Sequence, residues 1–319
     1  MSSGDRIAAI LIGRNEGARL IAALDALAGQ VARIVYVDSG STDGSIPAAQ
    51  ARGAHVVALD MTRPFTASRA RNAGLAALSG RPPEFVQFVD GDCAIQPGWL
   101  DAALQAMDAD PGLGAVAGRR RERFPDRSVY NRLCDAEWDT PVGPALAVGG
   151  DALLRHDAIS GIGGFRDDLI AGEEPEMCVR LRAAGWRIAR LPVEMTLHDA
   201  DMTRLGQWWR RTRRAGHAFA EGAALHGDPP ERHWRRETRR AVLWGAALPL
   251  AAVAGTVLLS PAALLLLAAY PAQVARLTPR MGLERAAFTV LGRLPEAQGA
   301  IEYHLRRRFG RRSALIEYK

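Results

Sequence analysis

Lysine is all but missing from this chain: of 41 basic residues only Lys319 is a lysine, and the rest are arginine. Cysteine is scarce too. Cys93, Cys134 and Cys178 are unevenly spaced and form no C-x-x-C pair. That argues against a disulfide framework or a cysteine zinc site and for a reducing compartment. No secretory signal is legible, because the apolar run Ile7–Ile12 is short and Arg14 follows it; a first strand is expected there instead. Internal repeats and low-complexity tracts are absent. No recognised nucleic-acid module accompanies the arginines, which ranks nucleic acid low as a partner. One segment, 241–275, lacks charge altogether.

What is present suffices for a large α/β domain with an appendage: 319 residues, 48% of them apolar. The net charge of +6 is unevenly shared. Residues 1–200 carry 21 basic and 26 acidic side chains, and residues 201–319 carry 20 and 9. The basic back portion is therefore expected to meet something anionic, such as lipid head groups.

The first 120 residues alternate between two periodicities. Ile7–Ile12, Arg33–Val37, His55–Leu59 and Glu84–Val89 read as strands. Ala18–Ala28, Ser45–Arg52 and Ser68–Leu78 read as helices. This rhythm predicts a doubly wound, mostly parallel sheet flanked by helices. Residues 120–170 show no regular period. Glu173–Ala184 reads as a helix stopped by Gly185, Trp186–Leu191 as a strand, and 204–240 as two basic helical stretches.

The strand Phe85–Val89 ends in Asp90-Gly91-Asp92. Ligands bind at the carboxyl edge of such a sheet. Two carboxylates one residue apart repel unless a cation sits between them, and a hard divalent ion holding a diphosphate would serve. A plain polar turn is the competing explanation, since Asp-Gly favours turns. Asp38 ends the second strand, where it could accept from a nucleotide base or cap the loop Ser39–Gly44. Asn15 and Glu16 follow the first strand; Glu16 could face the same nucleotide or serve as a first-turn acid. Arg71 lies early in a helix, and a guanidinium there could take phosphate oxygens, or a salt bridge. Glu173 and Glu174 open a helix; either could be a general base, and both would also favour the helix start.

Five signals occur in one order: Asn15-Glu16, then Val37-Asp38-Ser39-Gly40-Ser41-Thr42-Asp43-Gly44-Ser45, Ala70-Arg71-Asn72-Ala73-Gly74, Val89-Asp90-Gly91-Asp92 and Gly172-Glu173-Glu174-Pro175-Glu176. In order and spacing, over about residues 5–215, they resemble family 2 glycosyltransferases, inverting enzymes of the GT-A fold. The resemblance implies a nucleoside-diphosphate sugar donor, with a lean to uridine and with guanosine open, and a Mg or Mn ion. It implies Asp90 on the ribose or a metal-bound water, Asp92 on the metal, and the base at the second carboxylate of the last motif, here Glu174 in place of the usual Asp. Some enzymes of this fold have a third metal ligand near the position of His198. Ile12-Gly13 stands where the family usually has Pro-Thr. Gln207-Trp208-Trp209-Arg210-Arg211 only partly matches the Q-x-x-R-W motif of processive members, and a basic amphipathic helix is expected there.

A domain division of 1–215, 216–240 as a basic linker, 241–275 and a basic tail 276–319 follows from composition. Ser260-Pro261 splits the charge-free segment, and arginines flank both ends. A helical hairpin entering and leaving the membrane on its cytoplasmic side fits; a re-entrant hairpin and a buried helical pair are the alternatives. Arg306–Arg308 and Arg311-Arg312 add a patch able to attract anionic lipid. The expectation is thus an enzyme on the cytoplasmic face of a bacterial inner membrane, acting on a lipid-linked or glycan acceptor. Its rivals are a sugar nucleotidyltransferase, for which Gly13-Arg14-Asn15-Glu16-Gly17 is a poor loop, and a catalytically silent membrane-bound scaffold.

Overall fold

The computed structural model describes residues 3–310 and divides into two compact units. The first comprises residues 3–169 and 173–201, the second residues 170–172 and 202–310.

The first unit is built on one mixed sheet. Its strands are β1 (Ile7–Gly13), β2 (Arg33–Asp38), β3 (His55–Ala58), β4 (Phe85–Asp90), β5 (Cys93–Ile95), β6 (Leu113–Glu122), β7 (Gly143–Pro144), β8 (Ala152–Arg155) and β9 (Arg187–His198). The order is β3-β2-β1-β4-β8-β6-β9-β5, with β7 on β9. The pairs β1/β2, β2/β3 and β1/β4 are parallel, as the alternating rhythm predicts, and β6/β9 is parallel as well. The remaining pairs are antiparallel: β4/β8, β5/β9, β6/β8 and β7/β9. β1 and β4 are buried almost throughout, which explains their continuous apolar runs.

The helices of this unit are α1 (Ala18–Leu27), α2 (Ser45–Ala51), α3 (Ala67–Leu78), α4 (Trp99–Ala109), α5 (Val129–Trp138), α6 (His156–Gly161) and α7 (Glu173–Ala183). Thr66 caps α3 by accepting the Arg69 amide at 3.2 Å. Gly74 lets α3 lie close on β1, because a Cβ there would overlap the Ile10 side chain. The fully buried Trp99 of α4 donates its indole N–H to Gln87 Oε1 of β4 at 2.8 Å, so the one amide inside the sheet is satisfied.

One strand end departs from expectation. β9 does not stop at Leu191 but runs on to His198. Pro192 is tolerated because the β6/β9 register slips there, between Ala117/Arg190 and Arg119/Glu194. His198 is therefore a strand residue rather than a loop residue.

The second unit is helical: α8 (Leu205–His226), α9 (Arg235–Val242), α10 (Leu248–Leu258), α11 (Ala269–Met281), α12 (Leu283–Leu291) and α13 (Arg293–Arg308). α8 runs unbroken through residue 215, and the two compact units divide at 201/202. A π-turn, Leu243–Ala247, joins α9 to α10 just before Pro249, whose missing N–H it accommodates. Ser260 turns the chain, and a 3-10 stretch Pro261–Ala268 leads into α11. The expected hairpin thus exists. The basic segment that follows contains the helices Leu283–Leu291 and Arg293–Arg308, and Arg311-Arg312 lie outside the described residues. α13 seats on α8 through Gly216 and Gly299, where any Cβ would overlap the backbone of Glu296 or Arg213.

Candidate active site

β1 leads outward to β2 and β3, and the chain then crosses back to β4, so the sheet switches direction between β1 and β4. A ligand crevice opens at such a point, outside the strands' carboxyl ends. Register places Gly13 beside Asp38 and Ile12 beside Asp90. The carboxylates singled out from sequence therefore share one edge of the sheet.

On the β2 side, Asp38 is turned inward. Its Oδ1 accepts the Tyr36 hydroxyl at 3.0 Å, and its Oδ2 accepts the Gly40 and Ser41 amides at 3.0 and 2.9 Å. Asn15, at φ 57°, locks the same loop: its Oδ1 accepts the Thr42 amide at 2.7 Å, and its own amide donates to Ser41 Oγ at 2.9 Å. Glu16 pairs with Arg19 at 2.8 Å and lies over Gly91, where a Cβ would come within 3.0 Å of its Cγ.

At the β4 end, one buried cation organises three carboxylates. Arg71, 3% exposed, reaches Asp90 Oδ1 at 2.9 Å, Glu174 Oε1 at 3.0 Å and Glu173 Oε1 at 3.2 Å, with its guanidinium over the Phe165 ring. Burial alone would lower its pKa, but the carboxylates of Glu174, Asp90 and Glu173 hold it above the usual value. Arg71, singled out from sequence for a phosphate or a salt bridge, thus forms an ion-pair knot with these three carboxylates. Arg69 is likewise internal, donating to the Asp60, Arg63 and Pro64 carbonyls. Asn72 pins the loop at Phe165 through both ends of its amide.

Burial and the neighbouring Glu173 charge push the Glu174 carboxyl up, Arg71 pulls it down, and it comes to rest at about 7. A carboxyl there is half ionised near neutrality, as a general base requires. Glu174 keeps 17% of its side chain exposed against 5% for Glu173.

Asp92 meets His198 rather than Asp90. His198 Nε2 lies 3.4 Å from Asp92 Oδ2, and its Nδ1 lies 3.3 Å from Glu122 Oε2. Two donors on one ion at about 2.1 Å sit about 3 Å apart, so the Asp92–His198 spacing fits a shared divalent cation. Burial first, and the Arg120 charge next, lower the pKa of His198, which keeps the imidazole neutral and able to ligate. Glu122 sits at the other ring nitrogen, where a carboxylate can fix the orientation and tautomer of an imidazole. Its Oε1 accepts the Asn131 amide and its Oε2 the Ala200 amide. Cys93 borders the pair, but burial raises its pKa well above the usual value, and an intact thiol is a poor ligand for a hard ion.

Asp90, expected near the metal, is held by Arg71 and by Arg120 at 3.3 Å, and its amide donates to Asp151 Oδ1 at 2.9 Å. Glu122, Arg120 and Asp151 escaped sequence reading. They lie where no period was legible, and their partners are separated by 30 residues or more: Arg120 from Asp90, Glu122 from His198 and Asp151 from Thr196. The only local signal was the charged run Arg119–Arg123, which contains two of the three. Gln207, from the partial Q-x-x-R-W motif, caps α8 by accepting the Thr203 and Arg204 amides, while Trp208 is buried against Phe288. These are structural roles.

Known proteins resemble this chain in sequence and in fold. The pre-mycofactocin glycosyltransferase of Mycobacterium tuberculosis is 29% identical over 61% of this chain, and the match spans only 43% of that relative. An uncharacterised glycosyltransferase of the same species is 29% identical over 60% of this chain and 85% of its own. Among solved structures, a mannosyltransferase from Pyrobaculum calidifontis, determined with GDP-Man and Mn2+, superposes with a TM-score of 0.64 at 24% identity, covering 94% of this chain and 87% of that one. Glucosyl-3-phosphoglycerate synthase from M. tuberculosis, with Mn2+ and UDP-Glc, gives 0.50 at 19% identity, covering 71% and 81%. These two structural likenesses speak for the fold. The family model for glycosyl transferase family 2 matches residues 9–170, and with its motifs on one edge of one sheet the chain belongs to that family.

Proposed function

We propose that this chain transfers a sugar, with inversion, from a nucleoside-diphosphate sugar to a hydroxyl of a lipid-linked or glycan acceptor. The observation that carries the proposal is the single edge at which Arg71 gathers Asp90, Glu173 and Glu174, next to the Asp92–His198–Glu122 array. Glu174 is the base. Its carboxylate takes the proton of the acceptor hydroxyl as that oxygen attacks the anomeric carbon, and the bond to the diphosphate breaks. Its raised pKa and greater exposure favour it over Glu173. Asp90 faces the donor's ribose. Asn15, Glu16 and Asp38 shape the nucleotide side, Asp38 through the loop it holds.

Asp92 and His198 would hold the divalent ion, Mg or Mn, which neutralises charge on the departing diphosphate when bound. Uridine and guanosine donors are both proposed, since structural neighbours were solved with UDP-Glc and with GDP-Man, each with Mn2+.

We place the chain on the cytoplasmic face of a bacterial inner membrane. Residues Arg235–Leu258 form a 24-residue helix whose apolar 18-residue stretch has a mean hydropathy of 1.9. Leu250, Val257, Leu259 and Leu265 are each two-thirds or more exposed, a cost in water that lipid would remove. Incubation with UDP- and GDP-sugars, with and without Mn, tests the reaction. Release of nucleoside diphosphate supports it, pyrophosphate points to a nucleotidyltransferase, and no turnover of any donor points to a silent scaffold. Fractionation tests the location: full-length protein left in a detergent-free high-speed supernatant would refute it.

A further inference from the structure

The helical unit contains a cleft of about 530 Å³ at the base of the apolar hairpin. Its charged lining is entirely arginine: Arg236 and Arg240 from α9, Arg276 and Arg280 from α11, and Arg293 from the start of α13, with no acidic side chain among the lining residues. Arg236 and Arg240 are four apart, as are Arg276 and Arg280, so each pair lies on one face of its helix. Gly245 brings the first hairpin helix onto the Arg293 backbone, since a Cβ there would overlap the Arg293 carbonyl oxygen. Arg293 pairs with Glu296, but among the described residues the other four have no acidic partner.

Five guanidiniums around one cleft repel each other unless an anion joins them. Position narrows the anion. Arg240 immediately precedes the charge-free segment and Arg276 immediately follows it, so both mark the polar end of the hairpin. One turn inward, the Tyr270 hydroxyl donates to the Trp244 carbonyl. Aromatic side chains followed by arginines match the boundary between hydrocarbon and head groups.

We propose that this cleft binds the phosphate group of an anionic membrane lipid, its guanidiniums holding the oxygens in paired hydrogen bonds. The proposal rests on the membrane reading of residues 241–275. The shared chemistry is phosphate, and a lipid head group is its source.

The test uses full-length protein, vesicles of phosphatidylcholine with and without phosphatidylglycerol, and two variants of equal charge. R240Q/R276Q empties the cleft of two arginines, while R63Q/R285Q removes two exposed arginines elsewhere. Wild type should bind both vesicles, and phosphatidylglycerol more tightly. R240Q/R276Q should lose about thirtyfold on phosphatidylglycerol and nothing on phosphatidylcholine, whereas R63Q/R285Q should lose under about threefold. Equal losses in the two variants, or none, would overturn the site while leaving membrane binding intact. Wild type that ignores both vesicles would overturn the membrane reading itself. Inorganic phosphate that raises the melting temperature of wild type and not of R240Q/R276Q, without any preference for phosphatidylglycerol, would reassign the cleft to a soluble ligand and overturn the lipid source.

Discussion

Replacing Glu174 by glutamine should kill turnover and stabilise the fold at the same time. The glutamine copies the shape of the protonated acid but carries no charge. In the folded chain the Glu174 carboxyl is raised from 4.5 to about 7 by burial and by Glu173, against the pull of Arg71. Between those two values the folded state keeps a proton that the unfolded state has lost, so stability falls as pH rises across the window. Above pH 7 the ionised form costs about 3 kcal/mol, at about 1.4 kcal/mol per pH unit. Urea denaturation at pH 8 should therefore find Glu174→Gln more stable than wild type by up to about 3 kcal/mol, with the gain gone by about pH 4. Turnover should fall at least about a hundredfold, the low end for loss of a general base. Wild-type kcat should rise with pH and level off above about 7. Glu173→Gln removes one of the charges that raise the carboxyl, so that limb should move to lower pH. A Glu174→Gln variant that keeps turnover within tenfold of wild type, or is no more stable than wild type at pH 8, would refute the reasoning. Loss of turnover in Glu173→Gln alone would shift the base by one residue.

Asp92→Asn should leave the melting temperature of the free protein near wild type but abolish Mn-dependent stabilisation by UDP or GDP, because the oxygen beside His198 is no longer anionic; unchanged stabilisation in a thermal-shift titration would rule Asp92 out. Glu122→Gln should weaken Mn affinity by about 10- to 100-fold while nucleotide affinity without metal is unaffected, the mark of a residue that orients a ligand. Arg71→Met should cost about 3–5 kcal/mol, since Asp90, Glu173 and Glu174 lose their common cation; denaturation near neutral pH should find less loss once Glu174→Gln is added. Gly299→Ala should lower stability by about 1–3 kcal/mol, because its Cβ has no room against the Arg213 carbonyl; a neutral effect would contradict the helix contact.

Local pattern alone determined the front half of the sheet. β1, β2, β3, β4, α1, α2, α3 and α7 fall within about two residues of their expected bounds, because each carries a period that needs no distant partner. The ordered motifs likewise revealed the family, and the charge-free segment with its Ser260-Pro261 break announced the hairpin. Tertiary structure decided the rest. β6, β8 and α5 gave no clear period, and β9 passes a proline that ends a strand by local rules but sits at a register slip in the sheet. The largest changes concern roles. Asp90 and Asp92 are two residues apart, yet packing turns one to Arg71 and Arg120 and the other to His198. Glu122 and Arg120 acquire meaning only because β6 and β9 run side by side and bring residue 122 beside residue 198. Sequence supplied the ionisable groups. Which of them share a charge, and so what each carboxylate's proton does, is set by distances of a few ångströms across chain separations of 19 to 102 residues.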